Sequence, residues 1–193
     1  MAVDSAFEEL MRRVRAGDEE AAAELVRRYE SKIRRVVRFN LDSRLQRHFD
    51  SMDVCQSVLA SFFVRAGLGQ YELHTPGEVL NLLAVMARNK LTNRVKHQRR
   101  ARRDHRRVTA ADDTQAADDA PSPSEQVANR ELLVEARRRL SEEERQLLEL
   151  REQGQEWAEI AAAQGSSAEA LRKKLGRAIE RVVRELGLEG DGA

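Results

Sequence analysis

Residues Trp157–Arg177, WAEIAAAQGSSAEALRKKLGR, decide how the C-terminal half of this chain is built. The stretch reads as a helix, a tight turn and a second, basic helix. Ile160 and Ala161 share the buried face of the first helix. Gly165 stands where the chain must reverse, and glycine takes a positive φ without a Cβ clash. Leu171 and Leu175 return to the core at helical spacing, while Arg172, Lys173, Lys174 and Arg177 point outward. A helical pair with a cationic second helix is the shape that enters a DNA major groove. An ordinary helical hairpin with a solvated basic face has the same local pattern, so the rest of the chain must choose.

Upstream, Ser141-Glu142-Glu143-Glu144 is a capping box that starts a helix carrying Leu147, Leu148 and Leu150, closed by Gly154. Before it, Ser122-Pro123-Ser124-Glu125 is a second box with proline in the first helical position, followed by Val127, Leu132, Leu133 and Ala136. Downstream, Val182, Val183 and Leu186 extend the last apolar stripe to a stop at Gly187. Trp157 is expected in the core of the helix pair.

The N-terminal half is also helical. Phe7, Leu10, Met11 and Val14 mark a short helix ended by Gly17. Asp18 caps a longer one carrying Ala22, Leu25, Val26, Tyr29, Ile33, Val36 and Val37. Leu41, Leu45 and Phe49 suggest an irregular or short helical connection, and Val54, Val58, Leu59, Phe62 and Phe63 lie on a third long helix that starts near Asp50–Asp53. Cys55, on that helix, is expected to be a small buried or half-buried side chain. Gly67–His74 reads as a loop. Thr75-Pro76-Gly77-Glu78 then opens a helix with Val79, Leu80, Leu83, Met86, Ala87, Leu91 and Val95 on its apolar stripe. Beyond Val95 the stripe stops but the cations continue, through Lys96, Arg99, Arg100, Arg102, Arg103, Arg106 and Arg107. Such a helix end faces solvent or a polyanion.

Composition agrees with an all-α chain. Ala, Leu, Glu and Arg dominate the 193 residues, and all are strong helix formers. The net charge of +1 conceals separate blocks: the basic run is followed by Asp112, Asp113, Asp118 and Asp119 within a stretch of linker composition, Val108–Ser124. Fully extended, its seventeen or so residues would reach about 56 Å. The expected architecture is therefore two small helical domains, 1–107 and 125–187, joined by a flexible acidic linker, 108–124, with a short tail, 188–193. The single cysteine excludes an internal disulfide framework. The N-terminus lacks the apolar run of a signal peptide and no stretch is long enough for a membrane span, so a cytoplasmic location is expected. No Gly-rich phosphate loop, nucleophile–base constellation or His/Cys metal spacing is visible, which argues against an enzyme and predicts neither metal nor cofactor.

In this order and spacing, three stretches make nearly the whole chain, about residues 5–187, resemble bacterial RNA polymerase sigma factors of the extracytoplasmic-function (ECF) type. Asp50–Phe63, DSMDVCQSVLASFF, looks like the family's polymerase-clamp-binding helix. The segment Leu80–Arg100, with LLAVMARNKLTNRVKHQRR, looks like its −10 helix, and Leu140–Leu186 looks like its −35-binding helix-turn-helix domain. The resemblance implies a transcription initiation factor that binds core RNA polymerase at the clamp coiled coil and the flap, directs it to promoter DNA and assists melting. It implies core-polymerase contacts at Asp50, Asp53, Gln56, Ser57 and Phe62. It implies −10 contacts at Tyr71, Asn81, Arg88, Asn89, Lys90, Arg94, Lys96, Arg99 and Arg100, with the Gly67–His74 loop helping to hold an unstacked base. It implies −35 contacts at Ser167, Glu169, Arg172, Lys173, Lys174 and Arg177. Partners of the family's kind would include an anti-sigma factor. The competing reading is a helix-turn-helix regulator acting at operators without core polymerase, which would need no clamp-binding helix.

Two departures from the family pattern stand out. Asn81 occupies the place of a common tryptophan in the −10 helix, leaving Tyr71 as the nearest aromatic. Met52 and Ser57 stand where acidic residues are frequent. Phosphorylation adds about −1.5 to −2 charges, so Ser51, Ser57 or Ser61, with Ser57 foremost, is a candidate switch for a Ser/Thr kinase; a serine merely tolerated on an exposed face is the plainer reading.

Overall fold

The computed structural model describes the backbone of residues 2–40, 51–104 and 123–189, and the side chains of 5–39, 51–96 and 130–189. Among the described residues there are eight helices and no strand: α1 (Ala2–Arg15), α2 (Glu19–Asn40), α3 (Ser51–Gly67), α4 (Pro76–Asp104), α5 (Pro123–Arg138), α6 (Glu142–Glu152), α7 (Trp157–Gln164) and α8 (Ala168–Glu185). The expected connection at Leu41, Leu45 and Phe49 lies outside the described residues, as does nearly all of the expected linker, 108–124.

Local chemistry sets the helix ends. Gly17 turns with φ 80°, and the Asp18 carboxylate accepts from the Ala21 amide at 2.9 Å to start α2. At the head of α4, Glu78 accepts from the amides of His74 (2.7 Å) and Thr75 (3.2 Å), while its own amide donates to Thr75 Oγ1. These backbone donors hold the Glu78 carboxyl below its ordinary pKa. Ser141 and Glu144 close the same reciprocal box on α6. Gly165, at φ 61°, ends α7 in the left-handed region, and the Ser167 side chain accepts from the Ala170 amide at 3.1 Å to cap α8. A cap of this kind stabilises a helix by about 1 kcal/mol.

The apolar faces meet in two clusters. The first joins Phe7 and Met11 of α1, Leu25, Tyr29 and Ile33 of α2, Val54, Val58 and Phe62 of α3, and Val79, Leu83 and Ala87 of α4. The second gathers Leu133 of α5, Leu147 of α6, Trp157 and Ile160 of α7, and Leu171, Ile179 and Val183 of α8. Val64 of α3 and Leu68 just beyond it belong to this second cluster. Helix α3 therefore passes from one core into the other, and α5 packs against both α2 and α3.

Cys55 is fully buried, its Sγ 3.8 Å from the Glu30 carbonyl. Burial, aided by the Glu30 charge, pushes the thiol up to about 12. At pH 8 the reactive thiolate is then roughly one part in ten thousand of the native protein. Iodoacetamide at that pH should leave the folded chain unmodified over the time in which it fully alkylates the urea-unfolded chain; equal rates would contradict this core.

Candidate nucleic-acid interface

The basic second helix of the helix-turn-helix is α8. Its buried stripe is Leu171, Leu175, Ala178, Ile179 and Val182, so the intervening positions must face outward at 100° per residue. Glu169, Arg172, Lys173, Lys174 and Arg177 are all exposed. Lys173 pairs with Glu169 one turn earlier at 2.6 Å. Lys174 reaches Glu143 at the head of α6, and that bond holds the Glu143 carboxyl below its usual range. No described residue pairs with Arg172 or Arg177, so these two guanidinium groups are open to a ligand. Ser167 is occupied as the helix cap. Behind this face, Arg181 ties α8 to the α6 box through Glu144 at 2.6 Å. Trp157 is buried, with the Arg151 guanidinium 5.1 Å from its ring centroid.

A second polar face runs along α4. Asn81, Val85, Arg88, Asn89, Thr92 and Lys96 fall within one helical sector, and all are exposed. Val85, 48 % exposed, is an apolar contact in the middle of that row. Lys90 and Arg94 lie on the opposite side, about 180° and 220° from Asn81. Lys90 is buried, and its Nζ donates to the carbonyls of Ser57 (2.9 Å) and Leu188 (2.8 Å). Arg94 is half-buried. The expected −10 set is thus split by the helix: Asn81, Arg88, Asn89 and Lys96 share a surface, whereas Lys90 is placed as an internal strut. Arg99 and Arg100 continue the helix, but their side chains lie outside the described residues.

Tyr71, one of the expected −10 contacts, is half-buried against the first core. Its ring lies parallel to Phe62, with centroids 6.1 Å apart and an interplanar angle of 14°. Its carbonyl accepts from Arg15 at 3.2 Å, and burial raises the pKa of its phenol. Phe62 is fully buried and also meets Phe63 edge-on at 5.8 Å. Phe62, expected among the polymerase contacts, thus lies inside the first core and not on the exposed face of α3. Of the other expected polymerase contacts, Asp53 and Gln56 are exposed and Ser57 is half-buried; Asp50 lies outside the described residues. Ser61 is buried, its Oγ 3.3 Å from Arg65 Nε, so it is shielded from a kinase in this arrangement. Ser51 is half-buried.

A polar cluster connects the two helical units. Arg65 of α3 forks onto Glu180 of α8, with its second nitrogen 2.9 Å from Oε2. The Gln70 amide donates to the same carboxylate at 3.2 Å. Burial opposes the Arg65 charge, but the bond to Glu180, together with the neighbouring Tyr71 and Glu189, outweighs it and raises the pKa. The bond from Arg65 in turn lowers the Glu180 pKa against its own partial burial. Nothing local in the sequence signals these contacts, since the partners are 110 or more residues apart.

Residues 4–187 match the family model described as ECF sigma factor. The chain belongs to the ECF sigma factor family. Among curated proteins the comparison found no match. Sigma factors act in transcription initiation, and those of this family partner with core RNA polymerase and promoter DNA. The all-α fold, with a helix-turn-helix at α7–α8, is the one the sequence pointed to. Among the described residues no helix of this sigma factor is long and apolar enough to cross a membrane.

The placement of Phe62 gives a direct check. Phe62→Ala should destabilise the sigma factor by about 3–5 kcal/mol in urea unfolding. A surface docking residue would cost less than about 0.5 kcal/mol, and that result would contradict the core assignment.

Proposed function

We propose that this sigma factor binds core RNA polymerase through the exposed N-terminal half of α3, at Asp53, Gln56 and Ser57, and carries two DNA-reading faces to one promoter. In this reading residues 1–107 form the polymerase- and −10-binding domain, 125–187 form the −35-binding domain that also meets the flap, and 108–124 tether them. Asn81, Arg88, Asn89 and Lys96 of α4 follow the −10 element and help hold its strands apart. Capture of an unstacked base offsets part of an unstacking cost of a few kcal/mol. Arg172 and Arg177 of α8, flanked by Lys173, Lys174 and Glu169, read the −35 element. A single arginine paired bidentately with guanine gives roughly 1–3 kcal/mol of discrimination. The chain works in the cytoplasm, where its polymerase is, and an anti-sigma factor is the expected type of inhibitor.

The observation that carries this reading is the presence of two solvent-facing polar helix surfaces, on α4 and α8, in one chain that matches the family across both units. A stand-alone regulator would have no use for the α3 face. Fluorescence titration of the labelled chain with core RNA polymerase separates the two: saturable binding supports the sigma reading, and its absence leaves only the operator-binding regulator. The Ser57 switch makes a further demand on the same titration. Ser57→Glu should tighten polymerase binding, and a variant that binds no better than wild type removes the idea of a kinase acting there.

DNA reading has its own signature. With holoenzyme on a cognate promoter, Arg172→Ala or Arg177→Ala should weaken binding by roughly 10- to 100-fold, the equivalent of about 1–3 kcal/mol. Arg88→Ala should instead weaken binding across sequences and flatten the slope of log affinity against log salt by about 1. Unchanged affinity in the α8 variants would rule out α8 as the reader.

A further inference from the structure

One stripe of α3 is divided between two environments. Asp53, Ser57, Ala60, Val64 and Leu68 follow one another at i, i+4, i+7, i+11 and i+15, the spacing of a single helix face. The turn persists past Gly67, because the Leu68 amide donates to the Val64 carbonyl at 2.9 Å. Along this face exposure falls steadily: Asp53 is exposed, Ser57 and Ala60 are half-buried, and Val64 and Leu68 are wholly buried. The two aliphatic residues are covered by the C-terminal unit and not by their own core. Leu133 of α5 lies so close to Gly67 that a Cβ there would stand 2.5 Å from its side chain. Glu180 of α8 clasps Arg65, and the Leu188 carbonyl reaches the Lys90 ammonium that also holds the Ser57 carbonyl.

We propose that the C-terminal unit acts as an internal competitor for the polymerase-docking face of α3, so that the free chain is closed and docking requires the two units to separate. The proposal rests on the assignment of α3 as the docking helix. The docking surface then extends from a polar end, where Asp53 supplies a negative charge beside Gln56, into an apolar ridge, Val64 and Leu68, uncovered only in the open form. Its occupant is a basic helical surface with an apolar centre on core polymerase. The chain permits the separation. Residues 105–122 join α4 to α5, and eighteen residues at about 3.3 Å each allow up to roughly 60 Å. The closed form carries the same logic as any pre-equilibrium: apparent affinity falls in proportion to the open fraction. The Arg65–Glu180 pair helps to set that fraction, because it is the charged clasp between α3 and α8 and Arg65 is only 12 % exposed in the closed form.

The two single variants alter only the C-terminal side of the contact, and the swap changes α3 at Arg65 alone, off the stripe from Asp53 to Leu68. Glu180→Arg sets like charges against each other, Leu133→Glu drives a carboxylate against Gly67, and the swap Arg65→Glu with Glu180→Arg restores the pair at unchanged net charge. Full-length proteins are compared by small-angle X-ray scattering and by titration with core RNA polymerase, with circular dichroism to verify helix content. Both single variants should increase the radius of gyration by roughly 5 Å, given a tether of this length, and should bind polymerase at least about threefold tighter; the swap should return both values to wild type. Variants that expand without binding more tightly overturn the competition. Variants that neither expand nor bind differently overturn the closed form. If Leu133→Glu loses helix content, Glu180→Arg, at a side chain 43 % exposed, decides alone. Should no form bind polymerase even though the variants expand, the docking assignment fails and the competition with it, while the closed arrangement stands.

Discussion

Helix α3 belongs to two hydrophobic cores at once, and the rest of the architecture depends on that division. Its first three turns give Val54, Val58 and Phe62 to the N-terminal cluster, and its end gives Val64 and Leu68 to the C-terminal one. A helix with apolar residues on two faces must be covered on two sides. Here α1, α2 and α4 cover one side, and α5 with α8 cover the other near its C-terminal end. The outward face left near the N-terminal end of α3 is short and polar.

The same division explains the buried charges. An ammonium or guanidinium removed from water needs hydrogen-bond acceptors, or burial costs several kcal/mol. Lys90 finds two carbonyls, one from α3 and one from the end of the C-terminal unit. Arg65 finds the Glu180 carboxylate. Both groups sit where the helical units meet, so their satisfaction depends on the units staying together. Polar contacts of this kind make an interface specific and also reversible, because water can replace each partner once the units part. Exposed Arg88 of α4 and Arg172 and Arg177 of α8 have no such constraint among the described residues and remain available to an anionic ligand.

Much of the fold was legible because its signals are short-range. The Thr75–Glu78 and Ser141–Glu144 boxes, the Gly165 turn and the Ser167 cap each involve residues within four positions of one another. The outward cations of α8 followed from the spacing of Leu171 and Leu175. What escaped was decided by packing between elements. Phe62 and Tyr71 are both contact residues under the family resemblance, yet Phe62 is buried in the first core with the half-buried Tyr71 ring stacked against it. Lys90 stood in a row of cations and was grouped with them, although nine residues of helix carry it to the far side from Asn81. Glu180 gave no sign of its role, because its partner lies 115 residues away. Periodicity could have separated Lys90 from Arg88 and Asn89; it had no means of finding Arg65 and Glu180.

As an initiation factor, this chain must give core polymerase a promoter preference that the core enzyme lacks. Multi-round run-off transcription with purified core RNA polymerase on a randomised promoter library, with and without the chain, measures this directly. The expected result is a discrete set of chain-dependent transcripts whose templates share two conserved blocks upstream of the start, with Arg172→Ala and Arg177→Ala altering only the upstream block. Transcripts identical in number and sequence with and without the protein would contradict the account.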